Sequence, residues 1–70
     1  MMDGFYVVYK LMKDHNVYHL LNYYKTIEQA ELHAENIGED VKILKLIEIT
    51  HNIPVDEFNK IWIEQQSAER

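Results

Sequence analysis

The chain has no cysteine, a single proline, a single serine and only two glycines among 70 residues. Without cysteine, neither a disulfide nor a thiolate metal site can supplement the core. The two glycines, Gly4 and Gly38, lie too far apart to form a glycine-rich phosphate loop. Ser67 stands close to the C-terminal end of the sequence, so a nucleophilic hydroxyl would have to come from Thr26 or Thr50. Thr26 is placed to cap a helix and Thr50 to end a strand. Apolar stretches are broken by Lys or Glu every few residues, far short of the roughly 20 apolar residues of a membrane-spanning helix. The opening Met1-Met2-Asp3-Gly4 has neither the basic nor the apolar region of a secretion signal. These absences lead to the expectation of a cytoplasmic, non-enzymatic protein with no membrane association, no metal and no cofactor.

One further absence is local. From Thr26 to Asp40 there is no Lys or Arg, whereas Glu28, Glu31, Glu35, Glu39 and Asp40 all fall there, so this stretch alone carries a charge equal to the net −5 of the whole chain. It also has the clearest helix signature. Thr26-Ile27-Glu28-Gln29 is a capping box, in which the Thr oxygen accepts a backbone N–H and the Gln reaches back. Gly38 tolerates the left-handed turn that follows a last helical turn. On such a helix Glu28, Glu31 and Glu35 form a stripe of like charges, each neighbouring pair destabilising by a few tenths of a kcal/mol.

The rest reads as strand, strand, helix, strand, helix in a single domain spanning residues 1–70. Phe5 to Met12 (FYVVYKLM) is aromatic and β-branched with Lys10 as its one charge, which predicts a central strand apolar on both faces. Lys13-Asp14-His15-Asn16 predicts a hairpin turn, and Val17 to Tyr24 (VYHLLNYY) the return strand. A four-residue loop sets Met12 opposite Val17 and Val8 opposite Leu21, unless a bulge shifts the register. Val41 to Ile49 (VKILKLIEI) alternates, with Val41, Ile43, Ile47 and Ile49 on one face and Leu44 and Leu46 on the other. Ile53-Pro54-Val55-Asp56-Glu57 predicts the start of a last helix, since Pro fits a first turn and acids there favour the dipole. That helix presents Val55, Phe58, Ile61 and Trp62 and is predicted to fray at Gln66-Ser67-Ala68.

The packing that follows is α+β, a three-stranded antiparallel sheet in spatial order 2-1-3. The first helix lies on one face through Ile27, Ala30, Ala34 and Ile37. The second face, with Leu44 and Leu46 beside Tyr6 and Val8 or a similar set, must be covered by the C-terminal helix or by a second chain. Domains below roughly 70–80 residues draw little stability from one core, which keeps a homodimer through Phe58, Trp62, Leu44 and Leu46 as an alternative.

Chemistry is sparse. His15, His19, His33 and His51 include no pair at helical i, i+4 spacing, which does not suit a metal site. The carboxylates belong to an exposed stripe and to helix ends, where nothing separates their pKa values for acid–base work. All five tyrosines, Tyr6, Tyr9, Tyr18, Tyr23 and Tyr24, fall on the hairpin beside Lys10 and Lys13, a pattern that could stack single-stranded nucleic acid. The acidic helix next to them would repel phosphates, which argues against that alternative. What remains is a binding module. Its expected contact surface is Glu28, Glu31, Leu32, Glu35, Glu39 and Asp40, an apolar residue ringed by carboxylates, facing a protein with a basic surface.

No family-diagnostic motif is present. The layout of hairpin, Thr-capped helix, strand and helix is similar to that of many small chains, including ones encoded by phages and prophages. That likeness implies a regulatory or inhibitory role, in which a short acidic protein occupies the basic surface of a nucleic-acid-handling host protein.

Overall fold

The computed structural model describes residues 4–68. Its elements run β1 (Phe5–Met12), β2 (Val17–Tyr24), α1 (Ile27–Ile37), β3 (Val41–Leu46), β4 (Asn52–Pro54) and α2 (Val55–Ala68). The sheet is antiparallel with order β3-β1-β2-β4. β1 is central, as its apolar character on both faces predicts, and Val7, Val8 and Tyr9 are completely buried in sequence.

The sheet has four strands rather than the expected three. β4 arises from residues read above as the start of the last helix. Ile53 is buried and pairs with Tyr18, while Pro54 pairs with Val17 at the outer edge of the sheet, where its missing N–H leaves no ladder bond unmade. The junction is held by Val55 N–H donating to Asn16 O at 3.2 Å and Leu20 N–H donating to His51 O at 2.8 Å. Pro54 therefore ends a strand, and the helix starts one residue later, with Asp56 and Glu57 in its first turn. α2 stays helical through Gln66 and Ser67 to Ala68, past the point where fraying was expected.

β3 is also shorter than predicted, ending at Leu46 instead of Ile49. β3 and β4 lie at opposite edges, so the chain between them must leave the sheet and cross its end. Ile49 packs against the core during that crossing, and the Tyr9 hydroxyl donates to Thr50 O at 2.6 Å, pinning it. Ile47 is exposed.

In the hairpin, Met12 pairs with Val17 as expected, but a bulge between Val8 and Tyr9 moves Val8 opposite Asn22 instead of Leu21. The register with β3 sets Phe5 beside Leu46 and Val7 beside Leu44. The face carrying Leu44 and Leu46 is thus completed by Phe5, Val7 and Tyr9 rather than by Tyr6 and Val8. α2 covers that face within the same chain. Phe58 is fully buried, its ring stacked on Tyr18 at 3.7 Å between centroids and edge-on to Tyr9 at 5.4 Å. α1 covers the other face, where Ala30 is fully buried and Ile27, Ala34 and Ile37 are half-buried.

Burial pushes the Tyr9 hydroxyl up from the ordinary tyrosine value of 10.0. The folded state therefore prefers the protonated phenol. That preference contributes its full stability below the unfolded value and loses it as pH rises through the higher folded value. Urea unfolding between about pH 8 and pH 11 is expected to show stability declining above about pH 10. Tyr9→Phe should flatten that decline while lowering stability at neutral pH by roughly 1 kcal/mol through the lost hydrogen bond. An unchanged alkaline slope in Tyr9→Phe would contradict this assignment.

Candidate interaction surface

α1 is built by its two ends. Thr26 has extended backbone angles and its Oγ1 accepts from Gln29 N–H at 3.4 Å, as a capping residue should. Among the described residues the return bond from the Gln29 side chain is not formed, so the box is one-sided. Gly38 has φ 93°, a conformation with a steric penalty for any residue bearing a Cβ, and its N–H donates to Ala34 O at 2.9 Å. Asp40 also has positive φ, 58°, and delivers the chain into β3.

With about 100° of rotation per residue, Ala30, Ala34 and Ile37 face the sheet. Glu31, Glu35, Glu28 and Leu32 then follow around the side away from it. All four are exposed, and Leu32, 62% accessible, is the most exposed large apolar residue among those described. His33 lies on the opposite flank, over β2, where its Nδ1 is 3.0 Å from the Tyr24 hydroxyl and the two rings meet edge-on. The acidic stripe therefore leans toward the β3 side of the molecule.

The two remaining acids behave differently. Asp40 Oδ2 lies 3.5 Å from Lys13 Nζ, the single ion pair among the described residues. Lys10 Nζ donates to the backbone carbonyl of Glu39 at 3.3 Å, and the Glu39 carboxylate has no cation partner among the described residues. Both lysines come from the distal end of the hairpin and tie the α1–β3 turn to it. Asp40 is thus partly neutralised by its own fold, while among the described residues Glu28, Glu31, Glu35 and Glu39 are not.

Other lysines sit over aromatic rings instead of carboxylates. Lys25 Nζ is 5.6 Å from the Phe5 ring centre, Lys42 Nζ 4.5 Å from that of Trp62, and Lys45 Nζ 5.5 Å from that of Tyr6.

Phe58 and Leu44 are fully buried in the chain's own core, with Trp62 and Leu46 packed half-buried around them. Tyr9 and Tyr18 are likewise core residues, Tyr6 and Tyr24 are half-buried, and Tyr23 alone of the five is exposed. Among the described residues no three His, Asp or Glu side chains converge as a metal-binding group, and no helix is long and apolar enough to cross a membrane. Two features escaped the sequence reading: the Lys13–Asp40 pair, between residues 27 positions apart, and a double hydrogen bond from Gln65 to the edge of β3. Comparison with protein-family models, curated proteins and solved structures finds no match.

The unpaired stripe has a stability consequence. Glu31 neighbours both Glu28 and Glu35, so Glu31→Gln relieves two like-charge pairs at once. The substitution should raise stability by roughly 0.5 kcal/mol at low ionic strength, with the gain fading as salt is added. Denaturant midpoints over a salt series measure it. A loss of stability would show that Glu31 is already satisfied within the fold.

Proposed function

We propose that this chain is a small non-enzymatic interaction module. Its α1 surface, Glu28, Glu31 and Glu35 beside Leu32, with Glu39 in the turn that follows, docks on a basic surface of another protein and blocks it. The observation that carries the reading is one-sidedness. Four exposed carboxylates lie to one side of an exposed leucine or in the turn beyond it, and none has a cation within ion-pair distance among the described residues. A helix selected for solubility alone would normally interleave Lys at i, i+4. Here the neighbouring lysines are held on rings or at the hairpin end.

A surface of this kind supplies two separate terms. The like-signed field steers a basic partner and speeds encounter, an effect that weakens once the Debye length falls to about 10 Å or less. Leu32 supplies an apolar contact that loses water on docking, with the carboxylates beside it fixing orientation. Asp40 adds to the long-range field while its pairing with Lys13 holds the turn in place. A partner that uses its basic surface to hold nucleic acid would be inhibited by direct competition for that surface.

The test is affinity capture from the native host with the wild-type chain and with Glu28, Glu31 and Glu35 all changed to Lys. Circular dichroism serves as the check that both fold. Proteins held by the wild type should be lost by the reversed variant and should elute progressively with salt. Capture that is the same for both chains would end the proposal.

A further inference from the structure

We propose that the outer edge of β3 is a docking site for an extended segment of a partner protein, which adds a strand to the sheet and sets an acidic side chain opposite Lys42. This inference goes beyond the acidic-helix reading and does not rest on it.

The direction of the backbone groups along β3 carries it. In an antiparallel pair, residues whose N–H and C=O point at the neighbouring strand alternate with residues whose groups point away. Leu11 N–H donates to Asp40 O at 2.8 Å, so Asp40 points toward β1. With Lys10 opposite Val41 and Tyr6 opposite Lys45, the alternation turns Val41, Ile43 and Lys45 outward, to the side where no strand follows. At Lys45 this is visible directly. Its N–H donates to Gln65 Oε1 at 2.9 Å, and its carbonyl accepts from Gln65 Nε2 at 2.7 Å. A side-chain carboxamide has the donor and acceptor of a peptide group, and Gln65 places it where the next strand's backbone would lie.

Gln65 satisfies one outward residue of three. The outward groups of Val41 and Ile43 meet no partner among the described residues. Successive outward residues lie about 6.8 Å apart, a spacing that the backbone of another extended chain reproduces. Space is present as well: a cleft of about 710 Å³ runs along this edge, with Ala34 of α1 on one side and Trp62 of α2 on the other. The other edge of the sheet is built differently, since β4 has three residues and ends in Pro54.

Charge selects the occupant. An incoming residue opposite Ile43 points to the α1 side, against Ile43 and Ala34, where an apolar side chain fits. Its neighbour points to the α2 side opposite Lys42, whose ammonium rests over Trp62 with no carboxylate in ion-pair range among the described residues. An Asp or Glu there forms a cross-strand pair. A second copy of this chain fits poorly. Pairing Val41 with Ile43 of the copy, in both directions, sets Lys42 against Lys42 and brings together two acidic helices, because Glu31 borders the same cleft.

The probe is a capped seven-residue peptide of alternating valine and glutamate, titrated into the full 15N-labelled chain. Saturable shifts concentrated at the Val41 to Leu44 amides are expected, with a dissociation constant below about 1 mM. N-methylating the valines removes the donors that meet Ile43 and should abolish the shifts without altering the protein. Replacing glutamate by lysine should weaken binding about three- to fivefold, and Lys42→Glu should reverse that preference. No saturable shift, equal binding of the N-methylated peptide, or shifts at these amides that grow with protein concentration alone would overturn the proposal, the last by making a second copy the occupant.

Discussion

The stack of Phe58 on Tyr18, with Tyr9 edge-on, is the contact from which the rest of the structure follows. β1 is apolar on both sides, so its sheet has two faces to cover, and a chain this short has two helices to cover them with. α1 reaches its face through a short connection after β2. α2 can reach the other only after the chain has crossed the end of the sheet from the β3 edge to the β2 edge. Ile49, the Tyr9–Thr50 hydrogen bond and β4 are the means of that crossing. They return the chain at a point where the first turns of α2 lie over Tyr18 and Tyr9. On α2, Phe58 is fully buried, whereas Val55, Ile61 and Trp62 are partly buried and pack against the core cluster.

Closing both faces within one chain determines what is left outside. The largest side chains of both helix-covered faces are spent on the core, which leaves the outer side of α1 and the free edge of β3 at the rim. These adjoin, because the acidic stripe leans toward β3 and Glu31 borders the cleft along it. The lysines reinforce the division. Lys10 and Lys13 fasten the α1–β3 turn to the hairpin, while Lys25, Lys42 and Lys45 lie over aromatic rings. Among the described residues only Lys13 faces a carboxylate, and it is that of Asp40, outside the stripe. Glu28, Glu31, Glu35 and Glu39 therefore have no cation partner among the described residues.

Much of this is legible in the residues, for identifiable reasons. The centrality of β1 can be read from a run apolar at both parities, and the limits of α1 from Thr26 and Gly38, because caps and chain reversals have strict side-chain requirements. β4 could not be read, since three residues carry no period and Pro54 suits a strand end at an edge as well as a first helical turn. The hairpin bulge leaves no local mark in VYHLLNYY. The stripe on α1 follows from helical spacing alone, whereas Gln65 on β3 and Lys13 on Asp40 depend on tertiary placement. A generic polar side chain at the end of a helix gives no sign that it will pair with a strand edge.

Chemical denaturation of Phe58→Ala tests the central contact most directly. Truncating a fully buried Phe is expected to remove about 3–5 kcal/mol, which approaches the whole stability of a domain this small. The variant should be largely unfolded at room temperature, with the tertiary near-ultraviolet signal of its aromatic rings lost. A loss below about 1 kcal/mol with that signal intact would show that α2 is held to the sheet by something other than the Phe58 stack.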